Sequence, residues 1–231
     1  VSVTLRIPAD RLNAVKADVG LFAQDRWTIG RATINGAIRY DQFIGATLPE
    51  TLPAGTFNAA VTYADCADGK NNLNAGCTGT VQNWKDISPR LGVAFDLFGN
   101  GKTAVKASVA RYVAGQTVAT ADANNPETTV GTNDVRAWTD RDLNGSPFSS
   151  TAAIQLNELA ASTNTAFGKN QPQSTLTDPS LLNGWGARGY NWEYTVSAQH
   201  EIAPRISVNG GWYRREFGTR PSPSTTGTAS P

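Results

Sequence analysis

The sequence predicts an all-β chain, an antiparallel up-and-down meander of about six long strands with short turns on one side and long loops on the other. Three observations carry that expectation. Apolar and polar residues alternate with period two over stretches of roughly ten residues. These stretches pair around short turns. Long segments rich in Gly, Asn, Thr, Pro and Asp join one pair to the next.

The first hairpin is expected over about 17–43. Val19, Leu21, Ala23 and Trp27 share one parity, broken by Asp25, while Asp18, Gln24 and Arg26 take the other with Phe22 among them. After the break Ile29-Gly30-Arg31, Ile34, Ile38 and Tyr40 oppose Asn35, Arg39 and Asp41. The second hairpin is expected over 89–113. Leu91, Val93, Phe95 and Leu97 alternate with Arg90, Gly92, Ala94 and Asp96. Beyond Gly99-Asn100-Gly101, Val105, Ala107, Val109 and Val113 alternate with Lys102, Lys106 and Ser108, with Arg111 as the exception on the apolar side. The third hairpin is expected over 191–217. Trp192, Tyr194, Val196 and Ala198 oppose Glu193, Thr195, Ser197 and Gln199, and past Ile202-Ala203-Pro204 the residues Ile206, Val208 and Trp212 oppose Arg205, Ser207, Asn209 and Arg215.

Long loops are expected over 44–88 and 114–190, and only Ser149 to Ser162 has a helical pattern. A compact soluble domain rarely contains structureless loops of that length. A membrane-crossing strand needs about 9–11 residues at a tilt near 45°, whereas ordinary strands average about 5–6. Aromatic residues gather near strand ends at Trp27, Tyr40, Phe43, Phe98, Tyr112, Trp192, Tyr194 and Trp212. That distribution suits the girdle of a membrane barrel, with its short periplasmic turns and long extracellular loops. The strands therefore read as a segment of a transmembrane β-barrel over 1–218. The alternative is a soluble, lectin-like β-sandwich, whose apolar face would lie against a second sheet.

Composition narrows the partners. The 231 residues are 39 % hydrophobic and 17 % charged, with a net charge of +1. No basic cluster points to nucleic acid, and no apolar run is long enough for a spanning helix. Methionine is absent, which predicts a processed product or a fragment. The tail 219–231 has a disordered or linker-like composition. Cys66 and Cys77 lie eleven positions apart in a polar loop. Their setting favours a disulfide and an oxidising compartment; two unrelated free thiols are the alternative. A zinc site is disfavoured, because the single histidine, His200, is remote in sequence.

No catalytic constellation stands out, so the chain is expected not to be an enzyme and to need no cofactor. His200-Glu201 lacks the second histidine of a zincin, and Gly99-Asn100-Gly101 leads into a strand as a turn would. Asp140, Asp142 and Asn144, followed by Gly145, match the first half of a calcium loop, but the twelfth position is Thr151 rather than a bidentate glutamate. A polar turn is the competing reading. The oxygen-rich stretch from Asp65 to Asn74 lacks a recognisable ligand order. Arg39, Asp41, Lys106, Glu193 and Gln199 are expected on the inward face of a barrel. Trp138, Phe148 and Phe167 are loop candidates for ligand contact.

The phrases LFAQDRWTIGRATINGAIRYDQF, WKDISPRLGVAFDLFGNGKTAVKASVARYV and GWGARGYNWEYTVSAQHEIAPRISVNGGWYRREFG resemble the barrel of TonB-dependent outer-membrane receptors, in the Oar-like branch that carries a carboxypeptidase-regulatory-like domain. The resemblance runs from about Leu21 to Gly218. It implies a 22-stranded barrel in the bacterial outer membrane, a plug, and a TonB box upstream. It also implies three partners: outer-membrane lipid, the TonB complex through a part not in this sequence, and a large nutrient ligand. About six strands are too few for that barrel, so two sheet edges are expected to need partners. A surface barrel or adhesin without transport is the remaining alternative.

Overall fold

The computed structural model describes residues 1–172 and 177–218. The tail expected to be disordered, 219–231, lies outside the described residues. The strands are β1 (Ser2–Arg6), β2 (Asn13–Ile29), β3 (Ala32–Thr47), β4 (Glu50–Leu52), β5 (Val61–Tyr63), β6 (Asp65–Lys70), β7 (Thr78–Asp96), β8 (Thr103–Val113), β9 (Asn133–Ala137), β10 (Asn183–Trp185), β11 (Tyr190–Ala203) and β12 (Ile206–Gly218). Helix is confined to α1 (Ala119–Ala123), α2 (Pro179–Leu182) and two 3-10 turns, Pro126–Thr129 and Leu156–Glu158. The fold class is all-β, as the alternation implies.

The residues separate into two units. The sheet unit comprises 15–46, 81–120 and the described residues from 177 onward. Its long strands form an antiparallel meander in the order β12-β11-β8-β7-β3-β2. Among the described residues, β2 and β12 are its outer strands. Each hairpin closes on a turn that its sequence specifies. At the β7–β8 turn the Asp96 carboxylate accepts from the backbone N–H of Gly99 at 3.0 Å and of Gly101 at 2.8 Å. Both glycines have φ of 73°, a conformation that a Cβ disfavours.

The loop unit comprises 1–14, 47–80 and 121–172 among the described residues. Here β1 pairs antiparallel with β9, and β4 with β5. Leu5, Ile7, Leu52, Tyr63, Val130 and Phe167 form its buried core. The Cys66–Cys77 disulfide closes the excursion that leads into β7. Gly168 has φ of 76°, and a Cβ there would lie 2.0 Å from the Phe57 carbonyl oxygen.

Two expectations change. Ser149 to Ser162 is not a helix. Ala152 has φ of 59°, Phe148 and Ile154 form an isolated bridge, and only Leu156–Glu158 turns. The apolar spacing reflects bridging to neighbours, not a helical face. The loop expected over 44–88 also ends sooner, because β7 begins at Thr78. Its early half was hidden because the buried even positions there are Gln82, Trp84, Asp86 and Ser88. Hydrophobic alternation cannot mark a strand whose buried side is mostly polar.

Candidate functional site

Register gives the sheet two chemically different faces. Leu91 pairs with Val109, which pairs with Tyr194 and then Arg214. Val93, Ala107, Val196 and Trp212 make the next row, and Phe95, Val105, Ala198 and Gly210 the one after. These residues share a face, since side chains alternate along each strand. Leu91 is 47 % exposed, Val196 48 % and Trp212 54 %. On the opposite face Lys106 pairs with Ser197, and Ala110 with Glu193. Ser108 and Thr195 share a hydroxyl hydrogen bond of 2.7 Å, and Arg215 forms an ion pair with Glu193. Gln199 lies on the same polar parity, opposite Ala104. Arg39 donates from Nε to Asp41 at 2.8 Å. His200 pairs with Thr103 near the short-turn end, where its Nδ1 meets the Thr103 hydroxyl at 2.8 Å.

A buried ionic knot fastens the segment before β11 within the sheet unit. Asp86, 1 % exposed, accepts from Arg188 Nε at 2.6 Å and from Arg111 at 3.3 Å. Arg111 also donates to the Ile87 carbonyl at 2.7 Å and lies over the Tyr190 ring. Trp84 donates from Nε1 to the Leu181 carbonyl at 2.8 Å and stacks on Phe43. Residues 183–185 add a short parallel pairing to β7. The sequence concealed this knot because Asp86 and Arg188 are 102 positions apart.

The loop unit draws in the expected site residues unequally. Phe167 is 7 % exposed in the core, tilted against Phe57 at 5.4 Å between ring centroids. It packs and presents no open ring. Phe148 is 47 % exposed. Trp138 donates from Nε1 to Glu158 at 2.9 Å. Asp140 accepts from the N–H groups of Asn144 and Gly145, and Asp142 from Asn144 and Gln155. Asn144 accepts from the Ser146 N–H at 2.7 Å. Glu158, 2 % exposed, joins Asp140 and Asp142, with carboxylate oxygens of all three within 4.8 Å of one another. Those oxygens can ligate a divalent cation, and they already accept hydrogen bonds within the loop. Hydrogen bonds from Trp138 and from the Arg141 and Asp142 backbone hold the Glu158 carboxyl below the usual range. Thr151, the twelfth position of the loop pattern, instead meets the Ser149 hydroxyl at 2.9 Å. Glu158 escaped the pattern because it lies 18 positions after Asp140.

A further buried acidic group stood outside every motif. Glu127 is 3 % exposed in the Pro126–Thr129 turn. Burial, then the nearby charge of Glu50, pushes its pKa up to about 7.

An apolar face this exposed would be an aggregation surface in water, and a β-sandwich would cover it. A family model described as an outer membrane beta barrel domain matches residues 6–213. The chain belongs to that family of outer-membrane β-barrel domains. Comparison with curated proteins gave no match, and comparison with solved structures gave none either.

The barrel family resolves the exposed face. The bacterial outer membrane is this domain's location, and its lipid is the solvent for the face that carries Leu91, Val93, Val196 and Trp212. No helix among the described residues is long and apolar enough to cross a membrane, which is unremarkable for a barrel that crosses with strands. Lys106, Glu193 and Gln199 lie on the opposite, polar face of the sheet. Tyr190, Trp192 and Tyr194 occupy the outward parity toward the long-loop end, where aromatic girdles belong.

Proposed function

We propose that this outer-membrane barrel domain is part of a TonB-dependent receptor that imports a large nutrient ligand. The observation that carries the reading is the asymmetry of the hairpins. One end of the sheet has turns of a few residues, whereas the intervening chain builds a loop unit with its own core and disulfide. Ligand capture by an importer needs such a folded recognition surface, and loops carry function when a rigid scaffold positions them. The resemblance of the three barrel phrases to Oar-like receptors supports the same reading.

The proposal extends to architecture. β2 and β12 present unpaired backbone groups among the described residues, and lipid does not tolerate open edges. The sheet is then one arc of a larger closed barrel, whose lumen residues Arg39, Asp41, Lys106, Glu193 and Gln199 contact a plug. Transport by such a receptor involves no covalent chemistry in this domain. The TonB complex engages through a part outside this sequence.

The direct test is capture of the full-length gene product, in detergent, on the immobilised periplasmic domain of TonB. Binding that is lost when a TonB-box peptide competes supports import. A full-length product with neither plug nor TonB box, and no capture, overturns it. That outcome would favour a surface barrel without transport, a role for which a cross-linked loop unit is equally suited.

A further inference from the structure

The loop unit contains a cleft of about 350 Å³. One stretch of chain walls it with Arg6, Ile7 and Arg11, and another with Glu127, Val130 and Asn133. Local structure fixes both walls. Arg6 ends β1 and is the register partner of Asn133 on β9. Just beyond it, the Ile7 N–H donates to the Thr132 carbonyl at 2.9 Å. Glu127 sits in a turn held from both sides. Its N–H donates to Asn125 Oδ1 at 2.9 Å, and its carbonyl accepts from the Val130 N–H at 3.1 Å. Ile7 and Val130 are buried, so the cleft also has an apolar side.

The wall carries opposite charges that do not neutralise each other. Arg6 is exposed, and its guanidinium has no hydrogen bond or ion pair among the described residues. Arg11 is engaged by Asp122 at 3.5 Å. Glu127 is 3 % exposed, and its buried Oε2 has no donor among the described residues. A carboxylate oxygen withdrawn from water without a donor costs free energy that a ligand's donor would recover. The rise of the Glu127 pKa to about 7, caused first by burial, reports the same deficit. A simple anion would gain Arg6 but meet the charge of Glu127. A simple cation would gain Glu127 but meet Arg6. A molecule that carries both signs satisfies both walls.

We propose that this cleft binds a small zwitterion, a free amino acid or a short peptide, with its carboxylate on Arg6 and its ammonium on Glu127. A guanidinium matches a carboxylate with two parallel N–H donors. An ammonium brings both donors and counter-charge to Oε2. An aliphatic side chain of the ligand lies against Ile7 and Val130. The volume is at the small end of ligand cavities, roughly 300–1,000 Å³, and suits a dipeptide. An exposed side chain changes rotamer within nanoseconds, so Arg6 swings aside to admit the ligand while the turn keeps Glu127 in place. The site stands apart from the import reading, which concerns a large ligand, and holds whether or not the barrel transports.

The test is calorimetric titration of the full chain in detergent with the dipeptide alanyl-leucine. The pH is about 7, where the dipeptide amine is still mostly protonated. Two blocked forms serve as comparison: N-acetyl-alanyl-leucine, which lacks the ammonium, and alanyl-leucinamide, which lacks the carboxylate. Each should bind about tenfold or more weakly than the free dipeptide, the cost of one lost charge-assisted contact. Arg6→Gln should weaken the free dipeptide to the level of the amide and leave the amide unchanged. Glu127→Gln should weaken it to the level of the acetylated form. A general loss of structure would not produce that matched pattern. If Glu127→Gln fails to fold, the exposed Arg6→Gln carries the test with the two blocked forms. No binding of the free dipeptide up to about 10 mM, far beyond the range of a specific site, overturns the proposal. Equal binding of all three forms also overturns it, as does unchanged discrimination in the Arg6 variant.

Discussion

The loop unit and the sheet unit use the same apolar residue types in opposite ways. In the loop unit Leu5, Leu52, Val130 and Phe167 turn inward and are nearly inaccessible. In the sheet unit Leu91, Val196, Val208 and Trp212 stand outward and exposed. Strand length changes with them. The paired loop strands β1, β4, β5 and β9 have 3–5 residues, whereas β2, β3, β7, β8, β11 and β12 have 11–19. The lesson concerns solvent. A side chain's exposure has an energetic meaning only once the phase outside is known, and here water bounds one unit while hydrocarbon bounds the other. Inside the loop unit, apolar burial stabilises by removing surface from water. On the sheet, the same side chains stabilise by staying where they are.

Truncation should therefore hurt one unit and spare the other. Phe167→Ala should destabilise the loop unit by about 3–5 kcal/mol, the range for emptying a buried aromatic site. Leu91→Ala on the sheet should cost far less, because lipid fills the space. Hydrogen exchange in vesicles, resolved by peptide, reads both. Equal losses would break the distinction.

Charge should reverse that order. Val196→Arg should weaken folding into the bilayer by about 2–4 kcal/mol if it lies near the midplane, while its neighbour Ser197→Arg on the lumen face should be tolerated. A urea titration of folding in lipid vesicles measures the difference. Similar penalties for both would mean that the faces are misassigned.

Two smaller effects should stay inside the loop unit. Cys66→Ser, or reduction of the wild type, should cost roughly 3 kcal/mol by the loop-entropy account. It should raise protease nicking in residues 61–80 without changing the sheet. Asn125→Ala removes the side chain that accepts from the Glu127 N–H at 2.9 Å. Loss of such a cap costs about 1 kcal/mol, visible as faster exchange at 126–130 only.

How much of this was legible in the sequence depended on the outer solvent too. The three hairpins were readable because one face meets hydrocarbon and the other does not, so alternation is strict from Leu91 to Phe95 and from Trp192 to Gln199. The early half of β7 was not readable, because polar side chains and a tryptophan, not an apolar stripe, occupy its buried even positions. The disulfide could be proposed from an isolated pair of cysteines in one loop. The loop-unit core could not, because Leu5, Tyr63, Val130 and Phe167 come from segments that no periodicity links. Likewise Asp140 and Asp142 formed a recognisable spacing, while Glu158 joined them only through the fold. Glu127 carried no signal at all, since nothing local marks a carboxyl that the fold will bury.

The most direct test of the central claim scans β11 with one nitroxide at a time, from Trp192 to Gln199, in vesicles containing the folded protein. Collision with oxygen, which concentrates in hydrocarbon, should alternate with period two. Maxima should fall at Tyr194, Val196 and Ala198, and minima at Thr195 and Ser197. Uniform accessibility, or maxima on Thr195 and Ser197, would contradict a sheet whose apolar face is bathed in lipid.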